Sequence, residues 1–121
     1  MQKQHYISNI EKDTINNQNY RTVIWTSYDN HMQLTLMSLL PGQEIGSEIH
    51  EGDQFIRVEA GQGVAEIGCN KYLLQDGVAF IIPHGVRHNV INISRTENLK
   101  LYSIYSPPEH PSNLIETFKR D

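Results

Sequence analysis

The sequence predicts an all-β fold, a sandwich or barrel in a single domain. Three observations predict it. From Tyr20 onward, runs of about five to eight residues rich in β-branched and aromatic side chains follow one another. Turn signals built on Gly, Pro and Asn separate them. No amphipathic helical period of normal length appears anywhere. The chain has 121 residues, room for one domain whose core can hold without disulfides.

Residues 1–19 are polar, with asparagines at 16, 17 and 19, and read as an arm holding at most one short strand. YRTVIWTS (20–27) is the first clear strand, and YDNH (28–31) is a turn. MQLTLMSLL (32–40) follows, with Leu34 and Leu36 on one face, and PGQEIG (41–46) starts another turn. In QFIRVEA (54–60), Gln54, Ile56 and Val58 alternate against Phe55, Arg57 and Glu59. GQG (61–63) turns into VAEIG (64–68), whose hairpin tip CN (69–70) leads to KYLLQ (71–75). VAFII (78–82) runs into Pro83, and HNVINI (88–93) and LKLYSIYS (99–106) complete the strands. Three prolines then end the sheet region, and LIETFKR (114–120) suits one or two helical turns. The organisation is an arm at 1–19, a barrel at 20–106 and a tail at 107–121.

Composition narrows the partners. Net charge is −4, with no basic patch for phosphates, so nucleic acid is not an expected partner. No apolar run reaches the ~20 residues of a membrane span, and the first residues lack the apolar core of a secretory signal. No membrane partner is expected, and a cytoplasmic location is the default. Cys69 is the only cysteine, so no disulfide forms within the chain, and nothing near it activates a thiol.

The chemistry gathers in EIHEGDQF (48–55). Glu48 and His50 are two apart and share a face of an extended chain. The turn residues Glu51, Gly52 and Asp53 bring Gln54 back beside them. The Pro83–Gly85 turn presents His88 from another strand, so the four groups converge in the mouth of a barrel. This is either a metal site or a polar hairpin tip.

Two glycine-framed blocks carry a family resemblance. From Gly42, five residues lead to Glu48, one to His50, three to Gln54 and six to Gly61. From Gly77, five lead to Pro83, one to Gly85, two to His88 and three to Asn92. These resemble the paired motifs of the cupin superfamily, G(X)5HXH(X)3,4E(X)6G and G(X)5PXG(X)2H(X)3N. The second block matches every fixed position. The first keeps all spacings but has Glu48 where His is usual and Gln54 where Glu is usual. The resemblance implies a single-domain cupin-type β-barrel, the jelly roll or double-stranded β-helix.

It also implies a divalent transition metal, one of Fe, Mn, Co, Ni or Zn, held by Glu48, His50, Gln54 and His88. The set keeps one negative charge, and Glu48, His50 and His88 alone form a 2-His-1-carboxylate group. In the alternative, a metal-free relic, Glu48 would pair with His88, Gln54 would complete a polar network, and the buried carboxylate would raise the histidine pKa values.

Two further residues are weak catalytic candidates. His84 lies beside the Pro-Gly turn, where an exposed turn histidine is the plainer reading. Tyr102 and Tyr105 are on opposite faces of the last strand, so one of them can line the pocket; Tyr102 is carried as the candidate, packing being the plainer role of either. Arg57 and Arg87 are expected to point outward.

The function that follows is a metal-binding cupin, a small metalloenzyme with isomerase-like or dioxygenase-like chemistry on a small oxygen-containing molecule. The alternative is a non-catalytic cupin binding a small sugar or acid, and a purely structural oligomer part is the third reading. Small cupins often form a homodimer, here through the arm at 1–19 and the strand at 20–27.

Overall fold

The computed structural model describes residues 4–120. Strands β1 (Arg21–Thr26), β2 (Gln33–Leu39), β3 (Asp53–Ala60), β4 (Gly63–Ile67), β5 (Asn70–Leu74), β6 (Ala79–Ile82), β7 (His88–Asn92), β8 (Leu99–Ser106) and β9 (Ile115–Glu116) follow one helix, α1 (Ile10–Asn16). Six strands form one antiparallel sheet in the order β6-β3-β8-β2-β1-β9, and three form a second, β5-β4-β7. The segment 43–48 runs beside β7 through bridges at Glu44–Ile91 and Glu48–His88. The fold is all-β, as the strand pattern predicts, and is the jelly roll that the resemblance implies.

Alternation decides what is inside. Register sets Gln54 against Tyr105, Ile56 against Ser103 and Val58 against Leu101, all facing the second sheet. Gln33, Thr35, Met37 and Leu39 share that face from β2. Met37, Leu39, Ile56, Val58, Leu99 and Leu101 pack against Ala65, Leu74 and Val90 of the small sheet. The interior is therefore divided. One end is apolar, and the other carries Gln33, Thr35, Gln54, Ser103 and Tyr105.

Two expected elements differ. The arm holds helix α1 rather than a strand. Asn9 caps it by accepting from the Lys12 N–H at 3.0 Å, and Glu11 and Asp13 sit in its first turn, where the helix dipole favours acids. Seven residues are too few to display a helical period. The helix packs on β8 and β3, and buried Lys100 donates to the Asn17 carbonyl. At the other end, Ile115–Glu116 pairs with Arg21 and Thr22 of β1 instead of forming a helical turn. The Arg21–Glu116 ion pair fixes this strand, an interaction no local pattern reveals. Among the described residues, no helix is long and apolar enough to cross a membrane.

Leu101 is fully buried at the centre of the apolar end. Leu101→Ala is expected to cost about 2–5 kcal/mol through lost burial and a residual cavity. A urea titration reads this as a lower midpoint at unchanged slope.

Candidate metal centre

The two glycine-framed blocks are joined at the backbone. The Glu48 N–H donates to the His88 carbonyl and the His88 N–H to the Glu48 carbonyl, both at 2.9 Å. This reciprocal pair sets both side chains on one face. Two residues on, the His50 carbonyl accepts from the Gly85 N–H at 2.9 Å. Gly85 has φ +80°, a conformation that favours glycine. Asn92 closes the second block. Its buried amide donates to the Leu39 and Glu97 carbonyls, tying the loop before β8 to β2.

The side chains then meet. Glu48, His50, Gln54 and His88 line one cavity with Tyr105, Asn89 and Ile56. Its volume is about 10 Å³, the space of one water or one ion. The His50 and His88 rings are 4.8 Å apart, and His50 Nε2 is 3.6 Å from Glu48 Oε2. His88 Nδ1 is 2.9 Å from the Val86 carbonyl, which holds its proton there and leaves Nε2 as a lone pair. Gln54 Nε2 donates to Ser103 Oγ at 3.2 Å, while its buried Oε1 has no hydrogen-bond partner. Glu48 is the open member, its side chain 34% exposed. Among the described residues, no three His, Cys, Asp or Glu side chains are gathered as a ready-made metal centre.

Glu48 lies beside His50, and the amide of Gln54 pairs with Ser103 rather than with Glu48 or His88. His88 is shifted below the usual imidazole value. Burial is the largest cause, and it outweighs the Val86 carbonyl and Glu48, which pull upward.

Three neighbours came from outside the motifs. Tyr105, not Tyr102, faces the cavity, its ring edge-on to His50 at 5.7 Å. Burial pushes its hydroxyl far above the usual tyrosine value. Tyr102 lies on the outer face, 6.1 Å from Phe55. Glu109 and His110 arrive from the tail, with Glu109 Oε1 3.0 Å from His50 Nδ1 and the His110 ring 5.3 Å from Tyr105. The parity of β8 identified the tyrosine pair. Nothing in the Pro-rich run around Glu109 signals its position. His84 is exposed at the turn and pairs with Asp53 Oδ1 at 3.1 Å, away from the cavity. Arg57 pairs with Glu59 at 2.8 Å and Arg87 donates to Ser47, both outside as expected.

The family model of the cupin domain, Cupin_2, matches residues 35–105. The chain is 40% identical to BH2720 from Bacillus halodurans, whose crystal structure it matches with a TM-score of 0.90 over 94% of this chain and 89% of that one. It is 46% identical over 119 residues to uncharacterized protein L612 of Acanthamoeba polyphaga mimivirus, covering 95% of this chain and 73% of that protein. It is 44% identical to uncharacterized protein YrkC of Bacillus subtilis (strain 168), over 96% of this chain but only 64% of that protein.

His110, chiefly through burial and then through Arg21, is held down to about 4. Between that value and 6.5 the unfolded chain binds a proton that the folded chain refuses. Stability is therefore full above about pH 6.5 and declines as pH falls towards 4, with His88 acting in the same direction. Urea midpoints measured from pH 7 to 4.5 are expected to fall, and to fall less in His110→Gln.

Proposed function

The chain belongs to the cupin family, and on that premise we propose that it is a metal-binding cupin, a small metalloenzyme acting on a small oxygen-containing molecule. Glu48, His50, Gln54 and His88 are the proposed donors. The observation that carries this reading is Gln54 Oε1, a buried oxygen without a donor in a cavity the size of an ion. Such an orphan costs roughly 1–3 kcal/mol, and a cation relieves it. His88 supports the same reading, since burial favours the neutral ring that ligates metals and Val86 leaves its Nε2 available. When bound, a divalent ion supplies Lewis-acid polarisation of a carbonyl or, if it is iron, dioxygen chemistry.

The chain's own residues narrow the substrate. Glu48 lines the cavity and Glu109 stands behind His50, each about one-third exposed, at 34% and 35%. The cations nearest by sequence are engaged elsewhere: Arg57 with Glu59, Arg87 with Ser47 and Lys100 with the carbonyl that ends α1. Arg21, which acts on Tyr105 and His110, is paired with Glu116, so a neutral carbonyl or hydroxy compound fits better than a phosphate ester. Tyr105 and Ile56 wall the cavity and limit water around the donors.

One observation favours the second reading, a non-catalytic cupin that binds a small sugar or acid: the donors are not already gathered as a closed centre. Turnover that needs added metal and disappears in His88→Ala separates the two.

The homodimer is also proposed. Trp25, Leu34, Ile104, Phe55 and Ile81 stand in register across five strands on the outer face, and Ile81 is 65% exposed. Helix α1 of the arm packs on β8 and β3, and the proposed contact is this apolar row together with the arm at 1–19 and the strand at 20–27. Sedimentation should show a dimer that Ile81→Lys weakens, and a monomeric parent would end the idea.

Elemental analysis of protein purified without chelator is expected to find near-stoichiometric metal, lost in Glu48→Ala and in His88→Ala. No metal after reconstitution with Mn, Fe, Co, Ni and Zn would remove the enzyme reading.

A further inference from the structure

Resting on the metal reading, we infer that Glu109 is a positioning residue of the site, the carboxylate that orients His50. His50 presents Nε2 towards Glu48 on the cavity side and Nδ1 towards Glu109. That Nδ1 is buried, without a formed hydrogen bond, and 3.0 Å from Glu109 Oε1. An acceptor there keeps the proton on Nδ1, frees the Nε2 lone pair and raises the ring's strength as a donor. The Val86 carbonyl does the corresponding work for His88. Each ring thus has an acceptor behind it, one from the backbone and one from the tail.

The tail is built to deliver this carboxylate. Gln33 is fully buried, and its Oε1 accepts from the Glu109 N–H at 3.2 Å and the His110 N–H at 3.0 Å. Its Nε2 donates to the His110 carbonyl at 2.7 Å. Three hydrogen bonds from one inward-facing amide therefore hold the backbone of residues 109–110. Tyr105 is edge-on to the rings of His50 and His110.

The test uses the full chain and two variants, Glu109→Ala and Glu109→Gln. Both should fold, because the side chain is one-third exposed and the Gln33 bonds are to backbone. Titration with Co(II) should show affinity about 10–100-fold weaker in Glu109→Ala, with Glu109→Gln between it and the parent, since its amide oxygen still accepts. Ring ¹⁵N shifts of His50 in metal-free protein should report the Nδ1–H tautomer in the parent and its loss in Glu109→Ala. Either readout staying at the parent value in Glu109→Ala overturns the inference. If the parent takes up no Co(II), the metal reading falls separately, and the tautomer alone decides whether Glu109 orients His50.

Discussion

The site depends on one reciprocal pair of backbone hydrogen bonds, between Glu48 and His88. Residues 43–50 are not a regular strand, and nothing in their own sequence fixes their path. Pairing with β7 supplies the path, because two opposed residues that exchange both N–H···O bonds must project their side chains together. The bond from Gly85 to the His50 carbonyl extends the same attachment. Two separate motifs thereby become one surface.

That surface sits at the polar end of a divided interior. The apolar end, from Met37 to Leu101, supplies the burial that holds the sheets together. The polar end contributes far less to cohesion. It contains Thr35 Oγ1, His50 Nδ1 and Gln54 Oε1, buried atoms without hydrogen-bond partners. Native interiors leave few such atoms, and here three of them gather at one end of the interior.

The fold was legible because period-two alternation and turn residues act over a few positions, which is how β3 and β8 disclosed their inner faces. The four proposed donors were legible for a related reason: the spacing from Gly42 to Gly61 and from Gly77 to Asn92 is kept where residue identity is not. Helix α1 was missed because seven residues with one capping asparagine make a weak local signal. The pairing of β9 was missed because its cause, Arg21 meeting Glu116, spans most of the chain. Glu109 was missed for the same reason. Its place is set by Gln33, whose bonds to the backbone of residues 109–110 join positions more than 70 apart.

Gln33 also limits how this sequence can drift. Its amide uses both ends at once, donating to Thr26 and to the His110 carbonyl while accepting from two N–H groups. Glutamate has the same shape and would pass as a near-synonym. Yet an ionised carboxylate only accepts, so the oxygen in place of the amide nitrogen would face the His110 carbonyl, and a charge would be buried. At this position the smallest change in the alphabet is among the least tolerable, and homologues that retain the tail's path should be recognisable by glutamine here rather than by any residue of the tail itself.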